Sequence, residues 1–343
     1  MSSGARLLSL ICIAATIAAL VATNADAQGR RTAAPAAAAN LPADGVRVLQ
    51  VRPNIYMLSG GGSNVTVQTG KHGVLLVDAP LPSLAAATFA AIAKITPAPI
   101  RYVVSTSATR DHVSGNEAVA ALGRTASGAG PGLNSASNTV LLGSAQGMTI
   151  LAHENVLNEL THATGAVSRD VLPTSEYFEP TKDFSFNGEP VIVYHLPNAH
   201  SDGDSIVLFR SSDVISTGDV FTPDRYPLID RAHGGSVQGV LAALNAILAM
   251  TVPEAFAEGG TKVVPGHGRL CEETDVTEYR DMVYIVTDRI RELIAKGRTL
   301  AEVQAARPTL DYDREYPSAA VTPAMFVEAV YSSLADEKVA KGD

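Results

Sequence analysis

The apolar positions of the chain fall into two kinds of stretch, short runs suited to strands and longer runs with helical period. The order of these stretches occurs twice. From residue 46, β-rich runs at 46–51, 55–58, 64–68 and 73–77 are punctuated by Gly60-Gly61-Gly62 and Lys71-His72-Gly73 as turns. An Ala-rich helix is expected at 81–95. After Pro97 and Pro99 comes an apolar strand at 100–104 that runs straight into Ser105-Thr106-Ser107-Ala108-Thr109-Arg110-Asp111-His112. A helix at 117–122, a small-residue surface loop at 123–137, strands at 140–142 and 149–152, and a helix at 154–161 complete the first half.

The second half follows the same order without repeating the sequence. Strands are expected at 183–186, 191–196, 205–209 and 214–216. A helix at 237–250 then precedes a strand at 262–264 that ends in Pro265-Gly266-His267-Gly268. A long helix at 274–295 and two shorter ones close the chain. Meander, helices, meander, helices predicts an α/β protein, a four-layer αββα sandwich of two mixed sheets packed face to face with helices outside. Residues 46–270 read as one domain, with 271–343 a helical extension of it. Tyr279, Met282, Ile285, Ile290 and Ile294 give the long helix an apolar stripe that is expected to pack on the outside of the sandwich or to form a homodimer face.

Four loops at predicted strand ends carry His and Asp: Asp111-His112, His200 in Asn198-Ala199-His200-Ser201-Asp202-Gly203-Asp204, Asp219 in Thr217-Gly218-Asp219, and His267 after Pro265-Gly266. Strand ends are rigid platforms for binding loops, and imidazole with carboxylate suits zinc or a similar divalent metal. Singly, each has a plain structural explanation, since Asp caps turns and His is often a hydrogen-bonded core residue. Their order and context favour a common site.

At these positions the chain resembles the metallo-β-lactamase superfamily. There a strand ends in H-x-H-x-D-H, a later loop supplies a His, a Gly-Asp pair ends another strand, and Pro-Gly-His-Gly gives the last ligand. Gly73-Val74-Leu75-Leu76-Val77-Asp78 resembles the family's early strand and its Asp, and Gly115-Asn116-Glu117 resembles the Gly-Gly-Asn after the motif. The resemblance implies that Asp111, His112 and His267 hold one metal, that His200 belongs to a second site, and that Asp219 bridges the two. It also makes Asp111 and Asp219 the candidate catalytic carboxylates. The first two histidines of the motif are replaced by Ser107 and Thr109. Their hydroxyls are poor ligands for zinc at neutral pH. The expectation is therefore one Zn2+ per chain, in either a single-metal hydrolase or a catalytically inactive binding protein.

The other histidines, His72, His153, His162 and His195, are expected to be structural, while His233 lies on a loop that could border the pocket. Arg110 beside the metal loop would oppose a second metal.

Composition narrows the partners. Net charge is −9, with 18% charged residues and no Lys/Arg run, which argues against nucleic acid and leaves a small-molecule substrate. Arg6, the apolar residues 7–21 and Ala25-Asp26-Ala27 read as a cleaved signal peptide over 1–27, followed by a disordered leader at 28–45. A periplasmic or secreted protein without stable membrane insertion is expected. Cys12 would leave with the signal, and Cys271 reads as a small buried hydrophobe.

Overall fold

A computed structural model describes residues 45–60, 62–126, 148–163, 167–256 and 259–341. The expected signal peptide, the leader up to residue 44, most of the loop at 123–137 and the strand at 140–142 lie outside the described residues.

The apolar runs form strands close to where the pattern places them: β1 (Arg47–Arg52), β2 (Ile55–Ser59), β3 (Val65–Gly70), β4 (Gly73–Val77), β5 (Ile100–Val104) and β6 (Thr149–His153). With β7 (Ser175–Tyr177) they make one sheet in chain order, antiparallel from β1 to β4 and parallel from β4 to β7. The second sheet runs β13-β12-β11-β10-β9-β8. Its strands are β8 (Thr181–Phe186), β9 (Glu189–His195), β10 (Ser205–Phe209), β11 (Val214–Ser216), β12 (Lys262–Val264) and β13 (Cys271–Glu272). Only β11 and β12 pair in parallel there.

Alternation along the strands fixes the layers. In β4, Leu75 and Val77 face the second sheet and join Val191, Val193, Val207 and Phe209 in the central core. Val74 and Leu76 face outward onto α1 (Ala85–Ile95) and α3 (Asn116–Ala126), through Ala91, Ile92 and Val119. Burial on both faces explains the unbroken apolar run, and each such side chain contributes roughly 1.5–3 kcal/mol. On the far side, Ile206, Ile215 and Val263 pack against α5 (Val237–Met250), α6 (Glu273–Ala295), α7 (Leu300–Ala305) and α8 (Pro323–Lys341). Helix, sheet, sheet, helix is thus the observed order, as expected.

Some details differ from the expectation. The helix at 81–95 opens with a 3-10 turn, Pro82–Leu84, because Pro82 and Pro80 keep the chain from entering an α-helix earlier. α3 continues to Ala126, into the segment expected to be loop. On α6 the buried stripe is Tyr279, Met282, Val283, Val286 and Ile290, whereas Ile285 lies off that face and is 41% exposed. Among the described residues no helix is long and apolar enough to cross a membrane.

A buried carboxylate helps tie the end of the sandwich away from the His/Asp loops. Glu189 is buried and accepts from Asn54 Nδ2 at 2.9 Å, Gln68 Nε2 at 2.7 Å, Ser212 Oγ at 2.9 Å and Ser212 N at 3.1 Å. It thereby joins β3 of one sheet to β9 and the β10–β11 turn of the other. Replacing Glu189 by alanine leaves these donors facing a dry gap, and is expected to cost about 3 kcal/mol in urea unfolding. An unchanged midpoint would show that water satisfies them equally well.

Candidate metal centre

Parallel strands present their C-terminal ends to one edge of a sheet. β4 therefore delivers Asp78, and β5 delivers the segment from Ser105 to His112, at the same edge. In the second sheet β11 and β12, also parallel, deliver Asp219 and His267. Direct bonds clamp the two edges together: Asn64 N donates to Gly266 O at 2.7 Å, and Ser205 N donates to Thr106 O at 2.7 Å. Two glycines permit the closest approach. A Cβ on Gly218, at φ +52°, would sit 2.4 Å from Thr106 Oγ1, and one on Gly266 would sit 2.6 Å from Asp219 Oδ1.

The clamped edges bring Asp111, His112 and His267 together, with one ligand atom from each inside a 4.8 Å group. Asp111 and His112 lie on α2 (Arg110–Val113), a single turn reached from β5 through the segment Ser105–Thr109. His267 Nε2 is 2.8 Å from Asp111 Oδ2, and His267 Nδ1 is 2.8 Å from Asp219 Oδ1. His112 is fully buried, and its Nδ1 is 2.8 Å from Asp78 Oδ2. Its Nε2 lies 3.2 Å from Asp219 Oδ2, yet off the line a hydrogen bond needs, so this buried nitrogen has no hydrogen-bond partner.

Asp78 is the residue whose role the sequence did not disclose. It is buried in the left-handed region at φ +64°, where aspartate is one of the few residues besides glycine to settle. Thr106 pays back the strain: its N and Oγ1 donate to Asp78 Oδ1 at 2.8 and 2.9 Å. The sequence matched Asp78 to the family's early Asp without giving it a partner, because its partners lie about 30 positions later in the chain.

The charges sustain one another. Burial alone would lower the His112 pKa, but the Asp78 and Asp219 carboxylates outweigh it and hold it well above the usual range. Burial likewise opposes the charge on His267, and Asp111 and Asp219 carry it up to about 9. Conversely, burial would raise Asp219 and Asp111, and the neighbouring imidazoles hold both below the usual carboxylate range. An environment that favours positive charge on nitrogen this strongly also favours a divalent cation.

His200 stands apart from the triad. Its Nδ1 faces Asp204 Oδ1 at 3.2 Å, and Asp204 also accepts from Ser201 N at 2.6 Å. Burial would lower His200, but Asp204, with help from Asp219, raises it to about 9. Ser107 is fully buried and its Oγ accepts from Thr109 N at 3.2 Å, so the two replaced positions bond to each other. Arg110 is exposed on α2.

His153 and His195 stack with centroids 3.5 Å apart, and burial followed by the His195 charge pushes His153 down to about 4. His72 and His162 are exposed. His233 pairs with Asp230 Oδ2 at 2.7 Å on a 3-10 turn, Arg231–His233. Cys271 is buried, and burial pushes its thiol well above the ordinary range.

Known proteins supply a frame for this geometry. No curated protein matches the chain in sequence. Among solved structures, the stereoselective inverting sec-alkylsulfatase Pisa1 from Pseudomonas sp. superposes with a TM-score of 0.62 at 18% identity. The alignment covers 87% of this chain and 52% of the sulfatase, so this chain spans about half the sulfatase's length. A metallo-beta-lactamase from Pontibacter korlensis superposes with a TM-score of 0.52 at 14% identity, covering 70% of this chain and 99% of that one. At such identities the likeness is one of fold. The family model for the metallo-beta-lactamase superfamily matches residues 58–267, a span that takes in every loop of the centre. The chain belongs to the metallo-beta-lactamase superfamily.

Proposed function

We propose that the protein is an exported hydrolase that uses a single divalent metal, zinc by the character of its donors, on a small amide, ester, thioester or lactone. His112 carries the reading. A carboxylate fixes its Nδ1, and its Nε2 is buried beside Asp111 and His267 without a hydrogen bond. A carboxylate behind an imidazole is the pattern that orients a metal-binding histidine.

Asp111, His112 and His267 would hold the metal, which when bound supplies an acidified water and polarises the scissile carbonyl. The chain's own residues do the rest. Asp78 accepts from His112 Nδ1 and leaves the Nε2 lone pair available. Asp219 Oδ1 holds His267 through its Nδ1, while His267 Nε2 faces Asp111 Oδ2, the carboxylate that would share the metal with it. Asp111 and Asp219, both held ionised, are placed to orient the attacking water and take its proton. Export rests on the charged, apolar and small-residue order of residues 1–27.

The competing reading, a binding protein without turnover, draws on Ser107 and Thr109. Elemental analysis of purified protein is expected to give about one metal per chain, with chelation lowering the melting temperature. Two equivalents would contradict the single-site reading, and none would favour the binding protein.

A further inference from the structure

β6 pairs in parallel with β5, Leu151 opposite Val104, so both strands open at the same edge of the sheet. β5 leads to the metal loop, and β6 leads through His153 into α4 (Glu154–His162). Beside the centre, across the loop that carries His200, lies an open cleft of about 270 Å³. Its walls include Asn155, Asn158, Glu159 and His162 of α4, faced by Asp202 and His233. Carboxylate, amide and imidazole tips project into it, and carbon makes up most of the remaining wall.

The cleft and the centre share that loop. Asp202 N donates to His233 O at 2.9 Å, and Asp230 N donates to His200 O at 2.8 Å. Most of the acceptors in the cleft are already used. Asp202 Oδ2 accepts from Asn155 Nδ2 at 3.0 Å, and Asp202 Oδ1 accepts from Asn198 Nδ2 at 3.0 Å. His233 is held by Asp230. Glu159 differs: its carboxylate makes one contact, 3.7 Å from His233 Nδ1, with no hydrogen bond, and burial raises its pKa above the usual value. A half-buried carboxylate with unspent acceptor capacity is stabilised by a cationic donor.

We infer that this cleft receives the remote end of the substrate and that this end carries a protonated amine bound by Glu159. The inference rests on the proposed metal centre, which would take the reacting end of the same molecule.

The test uses product-like acids and zinc-loaded protein. Calorimetric titration with ω-amino alkanoates, from aminobutanoate to aminooctanoate, is set against the unsubstituted alkanoates of equal length. The amino series is expected to bind about tenfold tighter at one best length, as a partly buried ion pair allows, and Glu159→Gln is expected to remove that preference. Equal affinities for the two series, no binding by either, or a preference that survives Glu159→Gln would overturn the inference. Nitrophenyl esters of the same acids separate the two readings. A Glu159-dependent preference in binding without ester turnover would leave the cleft assignment standing and remove the hydrolase.

Discussion

Replacing His112 by alanine is expected to weaken zinc binding by about a hundredfold or more and to abolish hydrolysis. The loss has two parts. One is the Nε2 donor itself. The other is the fate of Asp78, whose buried carboxylate keeps the two Thr106 donors but loses its imidazole. Because that second loss could also loosen the fold, Asp78→Asn is the companion variant. It preserves the side-chain volume and the donors from Thr106, but it weakens the hold on the His112 tautomer. It should weaken zinc binding by about tenfold with a near-native circular dichroism spectrum. Competition against a chromogenic chelator reads both effects. Full zinc affinity in His112→Ala would show that the metal sits elsewhere.

The double change Ser107→His and Thr109→His is expected to raise the metal content from one to two per chain. The new imidazoles leave the end of β5 two residues apart, on a loop shared with Asp111, and His200 would be their third partner. A metal pair about 3.5–4 Å apart then becomes possible, of the kind that clamps a hydroxide nucleophile. Ser107 is fully buried, so its replacement by a larger ring carries an overpacking cost of about 1–3 kcal/mol. Thr109→His alone, at a partly exposed position, avoids that cost and should give a weaker second site. Elemental analysis and turnover of a lactam and a lactone are the measurements. A second metal without any gain in turnover would favour the binding-protein reading. No second metal in either variant would mean that His200 does not face these positions.

Strands whose burial comes from both faces were legible from the sequence because their apolar runs are unbroken and bounded by turn residues. β4, between Lys71-His72 and Asp78, is an example. β7 carried no such signal: Ser175-Glu176-Tyr177 is a strand only because its backbone pairs with β6. β13, two residues long, depends in the same way on β12. The centre divides similarly. Asp111, His112 and His267 could be named because their types and strand-end positions are local features that resemble the family's motif. The roles of Asp78 and Glu159 could not, since one depends on a left-handed backbone and distant donors, and the other on a cleft formed by loops far apart in the chain.

The residues beyond the family match are internal to the structure that carries Asp219. Phe221 and Tyr226, on the loop that follows it, meet Tyr279 of α6 edge-on at 5.2 Å and Phe326 of α8 face-on at 5.0 Å. Tyr226 Oη also donates to Asp313 Oδ1 at 3.0 Å. A shortened gene that stopped after His267 would strip the aromatic backing from this loop and turn two fully buried rings toward water. The smallest excisable unit is therefore set by where the rings of α6 and α8 lie, and reaches well past the last metal ligand. Grafting the centre onto a shorter scaffold would require carrying these helices along or supplying a substitute wall.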